Sequence, residues 1–260
     1  MPSGLKASFV DVAGRCRYVK TGAGPALVLI ASPLILATTY RPLLSRLACH
    51  YTVYAVEVPG SGRSFKIQTP WTFDQYADWL AQFFDQLGLR SASVIGHSNS
   101  GAIAIAFAKK YAERVDQLVL ADSIGVRVRN GSILRTLFSR AWDSLVEIRL
   151  TVTGFPDLLF NILFHSKNFF HQVRVASRTD LRTQLPAVNV RTLIAWGGRD
   201  HTLPRECARL MQRSIAKASY VVSRRGSHDW LIERPREFTD VVSRWAKPHG
   251  NLEERAPFPL

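Results

Sequence analysis

The stretch Val94-Ile95-Gly96-His97-Ser98-Asn99-Ser100-Gly101 decides how this chain is read. Residues 93–95 are a short apolar strand. Residues 99–111 follow as a helix that is apolar almost all round (Ala102, Ile103, Ala104, Ile105, Ala106, Phe107), so both elements belong in the interior. Ser98 sits on the turn between them. A strand-to-helix turn this sharp forces its serine into a strained backbone conformation. It also needs small neighbours, here Gly96, Ser100 and Gly101, because other backbone comes too close for a larger side chain. The hydroxyl is left at the top of the strand, where the helix N-terminus favours negative charge and the N–H of Asn99 points at a developing oxyanion. The plain alternative for Ser98 is a helix-capping serine.

Working outward, residues 8–12 and 15–20 read as a β-hairpin around Ala13-Gly14. Residues 26–31 and 52–58 are continuous apolar runs, as expected of strands buried on both faces. Residues 72–87 form a helix opened by a capping box, Thr72 with Gln75, and closed by Gly88. Strands are also expected at 117–121, 192–196 and 219–222, and helices at 204–215 and 235–246, each with proline at its first position. Alternating strands and helices predict an α/β fold: a mostly parallel sheet with helices on both faces. One interval breaks the alternation. Residues 124–189 contain apolar helical stretches, with Ile133 to Leu145, Leu158 to Phe164 and Phe169 to Val173 the clearest, and no strand. They read as a helical insertion over one end of the sheet. The chain therefore divides into a core of 1–123 and 190–248, the insertion 124–189, and a C-terminal tail, 249–260, without periodicity.

Composition narrows the class. The 260 residues are 47% hydrophobic, which suits a globular protein rather than a disordered or fibrous one. Three scattered cysteines, Cys16, Cys49 and Cys207, give neither a disulfide framework nor metal-ligand spacing, so no metal site is expected and a reduced, cytoplasmic compartment fits. No signal peptide pattern is visible, and the most apolar run, residues 25–37, is too short to span a bilayer, so stable membrane insertion is not expected. The net charge is +14, but the basic residues are spread out and no nucleic-acid-binding signature accompanies them. A solvated basic surface is the reading, with a small molecule rather than nucleic acid as the partner. Oligomeric state is not legible.

A serine hydroxyl needs a base, and the base needs a carboxylate to hold it. His228 stands in Gly226-Ser227-His228-Asp229-Trp230, after the last strand, and Asp200 just past the strand 192–196. Loops at the carboxyl ends of parallel strands emerge on one side of the sheet, so Ser98, Asp200 and His228 converge there. Asp122 also ends a strand and is the substitute acid. Asp229 reads as a loop-bonding group, His97 as a support for the serine turn, and Glu57 as structural.

These segments resemble the α/β-hydrolase superfamily, in particular its capped, esterase-like members, over residues 9–247. Four stretches carry the resemblance. Glu57-Val58-Pro59-Gly60-Ser61-Gly62-Arg63-Ser64 looks like the family's D-x-P-G-x-G-x-S loop, with glutamate for aspartate. Residues 94–101 look like the nucleophile elbow, with Ser100 where glycine is usual. Residues 193–200 look like the strand and turn bearing the acid. His228 with Glu233 and Pro235 keeps the spacing of the histidine loop, G-H-x-x-x-x-E-x-P.

The resemblance implies an α/β-hydrolase fold with a helical cap, and acyl transfer to water by Ser98, Asp200 and His228. It also exposes a departure. The family has His-Gly-x after the first buried strand, and x supplies the second oxyanion N–H. Here the residues are Ala31-Ser32-Pro33, and proline has no N–H. The hole is expected to use Asn99 N–H with either the Ser32 hydroxyl or Leu34 N–H. Phe138, Trp142, Phe160, Phe164 and Phe170 of the insertion are expected to roof the site and to select a medium-sized hydrophobic ester, lactone or thioester. No cofactor is implied. A lyase or cyclase on the same scaffold, or a ligand-binding protein with a little-used triad, are the other readings, and the missing His-Gly leans toward the lyase.

Overall fold

The computed structural model describes residues 5–128 and 148–247, with side chains from residue 154 onward in the second stretch. The apolar stripe from Ile133 to Leu145, including Phe138 and Trp142, and the C-terminal tail lie outside the described residues.

In chain order the elements begin with strands β1 Lys6–Asp11, β2 Arg15–Thr21 and β3 Ala26–Ile30. Helix α1 Arg41–Leu47, strand β4 Thr52–Val56, helix α2 Phe73–Gln86, strand β5 Ala92–His97, helix α3 Ser100–Lys110 and strand β6 Val115–Ala121 follow. Helices α4 Ile148–Phe164 and α5 Ser166–Arg178 come next. The chain then returns through β7 Thr192–Gly197, α6 Arg205–Ser214, β8 Ala218–Ser223, α7 Trp230–Glu233 and α8 Pro235–Trp245.

The strands form one sheet in the order β1-β2-β4-β3-β5-β6-β7-β8. The first two pairings are antiparallel and the rest parallel. The β1–β2 hairpin turns at Ala13 and Gly14, both with positive φ (55° and 139°). The expected capping box on α2 is present, Gln75 N–H to Thr72 Oγ1 at 3.2 Å and Thr72 N–H to Gln75 Oε1 at 2.8 Å. Pro235 opens α8 as expected, whereas Pro204 is the residue before α6 rather than its first. Helix α1 was not legible: seven residues are too few to show a period, yet Leu43, Leu44 and Leu47 are fully buried.

Strand residues alternate between two apolar layers. Val28 and Ile30 of β3 belong to the layer that holds α2, α3 and α6, while Leu27 and Leu29 belong to the layer that holds α1, α7 and α8. The order along the sheet reverses at β3, which pairs with β4 on one side and β5 on the other. Such a reversal leaves a crevice outside the carboxyl ends of the two strands. Residues 31–34 and Ser98 both follow those ends.

Helices α4 and α5 stand between β6 and β7 in the chain, and polar side chains lay them on the core. Asp157 Oδ2 accepts from Leu36 N–H (3.0 Å) and from the Thr39 hydroxyl. Asn161 accepts from Gly62 N–H (2.8 Å) and donates to Leu34 C=O (3.1 Å). His165 Nε2 donates to Gly62 C=O and Asn168 Nδ2 to Gly60 C=O, each at 2.8 Å. Asn99 Nδ2 donates to Gln172 C=O at 2.8 Å. Asn161, His165 and Asn168 thus seat the adjoining ends of both helices on the Pro-Gly-Ser-Gly loop, and Gln172 ties α5 to the serine turn. Among the described residues no helix is long and apolar enough to cross a membrane.

Candidate active site

Ser98 has φ 54°, in the left-handed region that a residue with a Cβ rarely adopts. The chain is held there by packing. A Cβ on Gly96 would come within 2.8 Å of Ala104 Cβ and of Gly101 Cα, and one on Gly101 would collide with the Ser123 side chain. Ser100, where glycine is usual, has its own use: its hydroxyl donates to Ala31 C=O at 2.7 Å, pinning the turn to the end of β3.

Ser98, His228 and Asp200 form one hydrogen-bonded row. His228 Nε2 lies 3.0 Å from Ser98 Oγ, and His228 Nδ1 lies 2.9 Å from Asp200 Oδ2. A carboxylate only accepts, so Nδ1 carries the proton and Nε2 presents its lone pair to the serine hydroxyl. Asp200 is fixed through its other oxygen, which accepts from Thr202 N–H (2.8 Å) and Leu203 N–H (2.7 Å). The imidazole and the carboxylate are both buried.

Asp122, the substitute acid, sits immediately behind. Its Oδ1 accepts from Gly197 N–H at 2.7 Å, and its Oδ2 has no hydrogen-bond partner among the described residues. Asp122, Asp200 and His228 bring their polar atoms within 4.8 Å of one another. Burial, then the neighbouring Asp200 charge, push the Asp122 carboxyl well above the usual carboxylate range. It therefore sits beside the row without touching His228 as Asp200 does. Among the described residues the two clusters of metal-ligand type share His228, whose two nitrogens are taken by Asp200 and Ser98.

His97 joins the oxyanion side of the crevice to the histidine loop. Ser32 N–H donates to Tyr40 Oη (3.1 Å), which lies 2.7 Å from His97 Nδ1, and His97 Nε2 lies 3.2 Å from His228 C=O. The carbonyl only accepts, so Nε2 carries the His97 proton and Tyr40 donates to Nδ1. The sequence reading of His97 as a support agrees with this path; Tyr40 carried no signal, being a lone aromatic before a short helix. Glu57 is a structural hub. It is buried, with Oε1 2.5 Å from Arg17 Nη1 and accepting from Ala37 N–H (2.9 Å), while Oε2 accepts from Arg63 N–H (2.7 Å).

The backbone donors of residues 31–37 can be followed one by one. Ala31 donates to Val56, Ser32 to Tyr40, Ile35 to Ser32, Leu36 to Asp157 and Ala37 to Glu57, and Pro33 has nothing to donate. Leu34 N–H donates to nothing among the described residues, and neither does the Ser32 hydroxyl.

The aromatic residues of the insertion depart from expectation. Phe160 is half-buried, with the Arg63 guanidinium 5.4 Å from its ring centre. Phe164 is 50% exposed beside Lys66. Phe170 is 62% exposed and lies about 200° round α5 from Gln172, the residue that bonds Asn99, so it faces away from the crevice. The expectation that Phe164 and Phe170 roof the site is corrected here, while Phe169 and Val173 of α5 are buried.

Known proteins share this sequence pattern and fold. The alpha/beta hydrolase family profile matches residues 25–241. An uncharacterized protein of Mycobacterium tuberculosis is 31% identical over 105 residues; the match covers 40% of this chain and spans 31% of that protein's length. A 2-hydroxy-6-oxo-6-(2'-aminophenyl)hexa-2,4-dienoic acid hydrolase of Metapseudomonas resinovorans is 26% identical over 271 residues, covering 95% of this chain and 93% of the other. The solved enol-lactonase of Burkholderia xenovorans, 22% identical, superposes with a TM-score of 0.75 over 91% of this chain and 98% of its own, a likeness of fold. The matched span holds the serine turn and the loops of Asp200 and His228, and the chain belongs to the alpha/beta hydrolase family.

Proposed function

We propose that this protein is a serine hydrolase that cleaves an ester, lactone or thioester of a medium-sized hydrophobic substrate through an acyl-enzyme. The row Asp200–His228–Ser98, with spacings of 2.9 and 3.0 Å and the serine held at φ 54°, is the observation that carries it. Ser98 Oγ attacks the carbonyl carbon while His228 Nε2 takes its proton. Asp200 keeps the imidazole in the right tautomer and stabilises it when charged. His228 returns the proton to the leaving group, then activates a water that releases the acyl group. Asn99 N–H is one oxyanion donor. Leu34 N–H is the second, because it is the backbone donor of its loop left uncommitted among the described residues. That choice answers the proline at position 33 and favours hydrolysis over a lyase reaction.

The substrate class is supported by the names of similar proteins: the enol-lactonase is named for a lactone, and the hydrolase of Metapseudomonas resinovorans for a 6-oxo acid that carries an aminophenyl ring. Action in the reduced cytoplasm is part of the proposal: all three cysteines are free thiols, and burial pushes Cys16 up to about 11 and Cys207 up to about 12.

The test is covalent. A fluorophosphonate probe adds to Ser98 in the parent. Ser98→Ala removes the labelling and lowers turnover of an aryl ester by about 10⁴–10⁶, with the circular dichroism spectrum unchanged. Labelling that persists in Ser98→Ala overturns the assignment.

A further inference from the structure

A helix that covers a sheet normally turns its apolar side inward. Helix α4 does the reverse. Asp157 and Asn161 occupy the inner side of α4. Phe155, Leu159 and Leu163, spaced four apart, line the opposite side, about 180° round the helix. They are 61, 45 and 66% exposed, and Phe170 adds to them from the outer side of α5. A single exposed apolar side chain needs no explanation, but a continuous stripe does.

Charge indicates what the stripe meets. Lys167, Arg174 and Arg178 share the outer side of α5 with Phe170 and are exposed. Lys66 Nζ stands 5.9 Å from the Phe164 ring centre, at the end of α4. Asp157 is the one carboxylate between residues 154 and 178, and it is turned inward onto Leu36 N–H. Among the described residues of the two helices the outer surface is thus apolar, rimmed by cations and without a carboxylate.

We infer that this face docks the protein on an anionic lipid bilayer, with α4 lying in the headgroup layer and the basic rim against lipid phosphates. An apolar stripe flanked by lysine and arginine has the chemistry of helices that lie in the interface plane. A second copy is the poorer occupant. It would press two basic rims together, in a chain already at +14. The inference goes beyond the proposed hydrolysis and holds whether or not Ser98 turns over an ester.

The full chain is tested by co-sedimentation with vesicles of phosphatidylcholine alone, and with about one third phosphatidylglycerol. The parent is expected to partition at least about tenfold better onto the anionic vesicles, and to release as salt rises from about 0.05 to 0.5 M. The triple substitution Phe155→Ser, Leu159→Ser, Leu163→Ser is expected to lower binding about tenfold or more, with circular dichroism and melting temperature unchanged. The surface substitutions Lys66→Gln, Lys167→Gln and Arg174→Gln, made together, are expected to abolish the preference for anionic vesicles and serve as an independent check that does not touch packing. Three outcomes overturn the inference. One is failure of the parent to bind anionic vesicles at low salt. Another is binding by both variants equal to that of the parent. The third is a dimer in light scattering that the apolar substitutions convert to monomer, which gives the face to a second copy.

Discussion

Helices α8 and α4 both cover the core, and they do it in opposite senses. Helix α8 buries Phe238, Val241, Val242 and Trp245 and sends Arg236, Asp240 and Arg244 outward. Helix α4 buries Asn161, turns Asp157 inward, and sends Phe155, Leu159 and Leu163 outward. Each large apolar side chain fully buried stabilises by about 1.5–3 kcal/mol, whatever its exact rotamer. Each hydrogen bond contributes a net ~0.5–1.5 kcal/mol, and only in one geometry. The first helix is therefore part of the global fold. The second is held locally, by contacts that can be lost while the sheet stays folded.

The largest expected effect tests the first half of that contrast. Phe238→Ala removes a fully buried ring and is expected to lower the unfolding free energy by about 3–5 kcal/mol in denaturant titration. A loss below 1 kcal/mol, as a rough threshold, would erase the contrast.

A smaller and local effect is expected from Asn161→Leu, which leaves Gly62 N–H and Leu34 C=O without their partner. The penalty is about 1–3 kcal/mol, confined to the seating of the insertion. Amide exchange across residues 154–178 is expected to quicken about ten- to hundredfold, with the denaturation midpoint nearly unmoved. If α8 quickens equally, the two regions unfold as one.

Acid sharpens the same comparison. Burial, then Lys66 nearby, hold His165 below the ordinary 6.5, against the opposing pull of its bond to Gly62. The folded state binds that proton less readily than the unfolded chain does. The stabilisation it gives is intact above pH 6.5 and is lost as pH falls below it. Exchange in 154–178, corrected for intrinsic rates, is expected to rise as pH drops below that value while exchange in α8 holds steady. A uniform change would remove the distinction.

The smallest effect belongs to a polar group inside the conventional core. Asp122→Asn keeps an oxygen for Gly197 N–H and removes a carboxyl that does not bond His228. It is expected to change kcat/KM by less than about tenfold, against about 10⁴ for Asp200→Asn. Equal losses would move the acid of the row to Asp122.

What could be read from the sequence divides along the same line. The serine turn was legible because two buried elements flank it and neither Gly96 nor Gly101 leaves room for a side chain. Positions Asp200 and His228 were legible because parallel topology fixes where strand-end loops emerge. The seating of the insertion was not. A polar stripe at 161, 165, 168 and 172 reads as a solvent face, since periodicity tells that a helix has two sides but hydrophobicity is what assigns them to inside and outside. On α5 the two adjacent aromatic residues divide, Phe169 buried and Phe170 exposed, and composition does not tell which of them faces the core. Tyr40 and the free N–H of Leu34 depend on which donors are already used, a matter of three-dimensional accounting.

The backbone of Ser98 has a consequence for anyone evolving this protein in the laboratory. A left-handed residue with a side chain is worth about 1–3 kcal/mol of conformational strain. Glycine at position 98 would relieve it and abolish the proposed nucleophile at once. A library screened for heat resistance alone would drift toward that dead variant, so thermostability and turnover must be selected together at this one position.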